Sequence, residues 1–129
     1  MRRAAVWTAL VAVVAGTALL LWPHAPRVET YSVSTGRHTV ELTVDDPRTG
    51  TNTLELTAAR SDGSPVTADT LTVDLVMPTM GHAAPPVTAS STGPGRFSAS
   101  DATFSMGGSW EITVRLPGQD RAVFSVPVR

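Results

Sequence analysis

Two short segments hold every methionine of the chain except the initiator: Met77-Pro78-Thr79-Met80-Gly81-His82, and Met106-Gly107-Gly108-Ser109-Trp110. Thioether sulfur and imidazole nitrogen suit Cu(I), a soft ion, and suit poorly the oxygen-seeking Mg, Ca and Mn. Met77, Met80, His82 and Met106 are therefore the candidate ligands for one Cu(I) ion. The chain has no cysteine, so such a site escapes the thiol oxidation that copper promotes in oxidising surroundings. Thiolate metal sites, disulfide frameworks and cysteine nucleophiles are excluded for the same reason.

Each candidate has an ordinary structural explanation beside the chemical one. Met77 continues the alternating row Leu71, Val73, Leu75, where methionine serves equally as core filler. Met80 stands in a Pro/Gly loop without apolar neighbours, where ligation accounts for it better than packing does. His82 by itself would be an ordinary loop histidine. Two residues from Met80, it joins the donor set, and shared parity across Gly81 aims both side chains to one side of the loop. Met106 either packs under Trp110 or, paired with the first segment, completes the set.

Other chemistry is poorly supported. Asp45, Asp46, Asp62, Asp69 and Asp101 fall mostly in turns, where aspartate bonds its own backbone. No Gly-x-Ser-x-Gly elbow occurs, and the histidines have no evident nucleophile partner, so the chain reads as a non-enzyme. His24 and His38 read as surface residues. All ten basic residues are arginine, and beyond the first two, eight remain against eleven acidic residues. A mildly acidic domain does not bind nucleic acid, whose recognition rests on clustered positive charge.

The elements that position these residues are strands. From Tyr31 onward the apolar residues alternate, and Gly, Pro, Asn and Asp mark the turns. Val40, Leu42 and Val44 before the 45–50 turn, with Leu54 and Leu56 after it, predict a hairpin. Leu71 to Met77 forms another row, followed by a proline-rich loop over 78–86 and a short strand marked by Phe97. The rows Trp110 to Leu116 and Ala122 to Val128 close the chain. Seven or so strands imply an antiparallel β-sandwich of immunoglobulin size, with Trp110 as its core anchor.

Residues 4–22 carry no charge and are rich in Val, Leu and Ala. Nineteen residues at ~1.5 Å each nearly span the ~30 Å hydrocarbon core of a bilayer. Arg2 and Arg3 precede the stretch, Trp7 and Trp22 lie near its ends, and Pro23 and Pro26 stop it. This predicts one uncleaved N-terminal transmembrane helix with its start in the cytoplasm and the domain outside. A cleaved signal peptide is the competing reading, but small residues are poorly placed for cleavage around 22–26. The expected organisation is a cytoplasmic stub at 1–3, the anchor at 4–22, a linker at 23–29 and the β-sandwich at 30–129.

Taken together, the N-terminal helix, the run Leu75 to His82 with its Met-Pro-x-Met-x-His motif, the Gly95-Arg96-Phe97 segment and the run Phe104 to Val114 with its Met-x-Gly-x-Trp motif resemble the YtkA-like family, related to FixH-type proteins. The resemblance covers about residues 30 to 128. It implies an immunoglobulin-like β-sandwich, exported or membrane-anchored, that handles copper and delivers it to respiratory oxidases. Carried over by position, the motifs imply Met77, Met80, His82 and Met106 as ligands and Gly108 and Trp110 as structural members. Ser105-Met106-Gly107-Gly108 departs from the pattern in lacking the proline often found between the methionine and the glycine.

The leading expectation is thus a membrane-anchored Cu(I) carrier in the bacterial envelope, passing its ion to an acceptor such as a respiratory oxidase. The alternative is a metal-free interaction or assembly module, since exposed methionines also make adaptable contact surfaces. A carbohydrate-binding sandwich is disfavoured, because the domain has one tyrosine and one tryptophan, the latter expected to be buried.

Overall fold

Alternation of side chains across a pleated backbone lets one face of each segment bury while the other stays wet, and the chain exploits this almost without interruption. The computed structural model describes residues 27–129. The helix expected over 4–22, the stub before it and most of the linker lie outside the described residues. Among the described residues, no helix is long and apolar enough to cross a membrane.

Nine antiparallel strands form the fold: β1 Val28–Ser34, β2 His38–Asp45, β3 Gly50–Arg60, β4 Thr70–Met77, β5 His82–Ala83, β6 Val87–Gly93, β7 Arg96–Phe104, β8 Gly108–Leu116 and β9 Asp120–Val128. Their order across the sheet is β1-β2-β3-β7-β6-β4-β8-β9, with β5 paired to β4. The sheet folds over on itself into a sandwich that is nearly a barrel. At one end the Thr49 N–H donates to the Arg129 carbonyl and the Arg129 N–H to the Pro47 carbonyl, at 2.7 and 3.1 Å. At the other, Asp120 reaches His38 and Thr35. These ties bring the last strand against the first two.

The inward rows are Val40, Leu42 and Val44 on β2, Leu71 to Met77 on β4, and Trp110 to Leu116 on β8, all at most 5 % exposed. Trp110, Phe97, Phe104 and Phe124 are the largest buried side chains. Full burial stabilises by about 1.5–3 kcal/mol for each large apolar side chain. The expected hairpin is present as β2 and β3, with Leu42 opposite Leu56. Three strands differ from expectation, the first being β5, which forms inside the stretch expected as a proline-rich loop. The Phe97 strand is nine residues long, and β6 is not announced by the sequence at all, because its run Val-Thr-Ala-Ser-Ser-Thr-Gly carries only two inward apolar residues.

Register places the elements end to end. Val28 pairs with Asp45, Gly50 with Phe104, and Gly108 with Val128. One end therefore gathers the start of β1, the 46–49 turn, the 78–86 connection, the 105–107 loop and the end of β9. The other gathers the turns at 35–37, 61–64 and 117–119.

Candidate metal centre

β4 delivers Met77 to the edge of the core, where the side chain is only 2 % exposed. Pro78 cannot continue the ladder, lacking an N–H, and opens a single 3-10 turn, Pro78–Met80. Gly81 follows in the left-handed region at φ 59°, ψ 26°, its N–H donating to the Pro78 carbonyl at 3.3 Å. A glycine reaches that conformation without the Cβ penalty. The chain is thereby turned back on itself, and His82 lands directly opposite Met77 in the β4–β5 pair. The Ala84 N–H donates to the Leu75 carbonyl at 2.9 Å and holds the return.

Opposed residues of an antiparallel pair leave the sheet on the same face. Met77 and His82 accordingly share a face, and it is the Trp110 side: the imidazole meets the indole edge-on, with ring centres 6.0 Å apart and planes at 83°. Trp110 is fully buried, packs edge-on against Phe104, and donates its indole N–H to the Met106 carbonyl at 3.0 Å. One side chain of the core thus props His82 and ties down the loop that carries Met106.

Gly108 completes the base. Its φ is +139°, and a Cβ there would stand 2.9 Å from the Met77 terminal methyl. The absent side chain is what lets the Met77 thioether lie under the β7–β8 loop. The Pro78–Met80 turn also contacts β8. Met80 and Met106 are 64 % and 38 % exposed, and His82 is exposed as well.

The structure thus brings Met77 against Gly108, and His82 and the backbone of the Met106 loop against Trp110, with Met80 in the turn that joins Met77 to His82. Shared parity across Gly81 is not what does this. Residues 78–81 are a 3-10 turn and a left-handed residue, so alternation does not run through them, and it is the pairing of His82 with Met77 that aims the imidazole. Met77 is packed into the core, as its place in the Leu71, Val73, Leu75 row led one to expect. No carboxylate belongs to the cluster. Among the described residues, no group of three or more His, Asp or Glu converges to hold a metal ion.

A second polar cluster has no counterpart among the sequence-based expectations. His38, expected at the surface, is 8 % exposed. Its Nδ1 lies 2.7 Å from the Asp120 carboxylate, which also accepts the Thr35 hydroxyl. These bonds from His38 and then Thr35 hold the Asp120 carboxyl below the usual carboxylate range. The sequence does carry a signal for it: His38 shares the parity of Val40, Leu42 and Val44. Of the aspartates expected in turns, Asp62 accepts the Ser64 N–H and hydroxyl, whereas Asp46 pairs with Arg129 and Arg48 and Asp101 lies within β7.

Comparison with known proteins gives one match. A family model described as YtkA-like matches residues 35–115, a span that contains all four candidate ligands, Gly108 and Trp110. No curated protein and no solved structure matches the chain.

Proposed function

The chain belongs to the YtkA-like family, and from that premise we propose that it is a membrane-anchored extracytoplasmic Cu(I)-binding protein that carries the ion to an envelope acceptor. The sandwich is immunoglobulin-like in this reading. Met77, Met80, His82 and Met106 hold the ion. The observation that carries the proposal is the convergence of His82, Met77 and the Met106 loop on Trp110, inside the family-matched span. The placement outside the cytoplasm rests on the uncharged stretch 4–22 behind Arg2 and Arg3.

The donor set suits transfer. Cu(I) accepts few, soft ligands, and here they grade from the enclosed Met77 to the open Met80. An incoming donor from the acceptor displaces the outermost thioether first and the imidazole next, so the ion never leaves a coordinated state. No covalent bond of the chain is made or broken in this exchange, which fits a carrier and not an enzyme.

The test is an anaerobic Cu(I) titration of the full chain in detergent against a chromophoric chelator. Stoichiometric competition, lost in a Met80→Ala/His82→Ala variant, is the expected result. Failure of the native protein to compete favours the second reading, an assembly module whose exposed Met80 and Met106 contact another envelope protein, and such binding would be indifferent to chelator.

A further inference from the structure

Four large apolar side chains are exposed among the described residues: Val28, Met80, Met106 and Val123. Three of them lie at one end of the sandwich. Val28 opens β1 opposite Asp45, Met80 crests the turn after β4, and Met106 stands in the loop before β8. The same end is tied together by the backbone. The Arg27 carbonyl accepts the Asp46 N–H at 2.7 Å, Asp46 pairs with Arg129, and a Cβ on Gly107 would meet the Val128 carbonyl at 3.3 Å. Where the chain enters the domain and where the soft donors sit are one surface.

From this geometry we infer that the Met80/Met106 end of the domain faces the phospholipid headgroup layer of the membrane, holding the candidate copper site at the level of the bilayer surface. The inference rests on the anchoring part of the reading above and not on copper. Six residue steps separate Trp22 from Val28, and at ~3.3–3.6 Å each they reach about 20 Å at full extension. β8 is nine residues long, so the sandwich measures about 30 Å from end to end. With the domain inverted, Val28 would stand about 30 Å above the membrane, beyond the reach of its tether.

Surface chemistry separates the remaining orientations. Lying on its side, the domain would press the polar outer faces of its strands, Glu41, Glu55, Arg96 and Asp101, onto the bilayer and leave the apolar end in water. With the tip down, Val28, Met80 and Met106 meet the interface. Arg48 and Arg129 stand at the same end, both paired with Asp46 and with side chains 70 % and 58 % exposed, and their apolar stems suit the interface. A partner that exchanges copper with this site then does so in the plane of the membrane.

Because the chain has no cysteine, single labels report position cleanly. Met80→Cys at the tip and Ser61→Cys at the opposite end, both exposed, are each labelled with a fluorophore in the full chain. The proteins are reconstituted without metal into phosphatidylcholine/phosphatidylglycerol vesicles containing a headgroup spin-labelled lipid. Flotation with the vesicles and severalfold stronger quenching at position 80 than at 61 are expected. Equal or weaker quenching at 80 in a protein that floats overturns the orientation and leaves the tip free for a protein partner. A protein that does not float overturns the anchoring reading, and the orientation with it. Neither result touches the copper titration.

Discussion

The two histidines of the described domain stand at opposite ends of the sandwich, and their surroundings are opposite in kind. His38 is enclosed, bonded to Asp120 and packed between two turns. His82 is exposed, resting edge-on against Trp110, and no hydrogen bond from the described residues reaches its ring. The difference teaches what each end is for. A polar group that is buried and hydrogen-bonded contributes to the stability of the fold. A soft donor left open on a rigid support costs little to the fold and remains available.

Trp110→Ala should have the largest effect, because this side chain belongs to both the core and the Met/His end. Truncating a buried Trp costs about 3–5 kcal/mol, and the Met106 carbonyl would lose its donor as well. Unfolding in denaturant, followed by circular dichroism, is expected to show that loss. A decrease under about 1 kcal/mol, the range of an exposed site, would mean that Trp110 does not anchor this end.

The two ends should then separate in opposite directions. Asp120→Asn weakens the acceptor of the enclosed His38 and is expected to lower stability by about 1–3 kcal/mol while leaving Cu(I) affinity unchanged. The sign of its pH dependence follows from the direction of the shift. The Asp120 carboxyl is held below its ordinary value of 3.8, so its stabilisation is full above that value and disappears as the pH falls below it. The gap in melting temperature between native protein and variant should therefore close on acidification below about pH 4. A gap that widens toward acid would show that another group governs this end.

Met80→Ala/His82→Ala should do the reverse. Both side chains are exposed, so stability should stay within about 0.5 kcal/mol of the native value, while Cu(I) affinity falls by well over tenfold in the chelator competition. Loss of fold in this variant would make the end structural; unchanged affinity would remove both residues from the site.

Much of this division is legible in the amino-acid sequence. Strict alternation in β2, β4, β8 and β9 displays the inward rows, and the unusual Met-Pro-x-Met-x-His run marks the open end, because a Pro/Gly turn offers a methionine no core to fill. The rest is hidden for identifiable reasons. β6 has too few apolar residues to announce a strand. The aim of His82 depends on the 3-10 turn and the left-handed Gly81, a local reversal that no two-residue period contains. Asp120 meets His38 across more than eighty residues of sequence, and only closure of the sheet brings them together.

Met80→Leu is expected to change stability least and to discriminate most. Leucine keeps the apolar bulk and removes the sulfur, and at a 64 % exposed position the fold should register under about 0.5 kcal/mol. If the open end works by coordination, Cu(I) affinity should fall at least about tenfold, equivalent to 1.4 kcal/mol of binding free energy, even though the surface presented to a partner or membrane is nearly the same. If it works by apolar contact, quenching by headgroup spin label at a neighbouring reporter should persist and Cu(I) affinity should not move. The single sulfur atom thus decides whether the contrast between the two ends is one of chemistry or only of exposure.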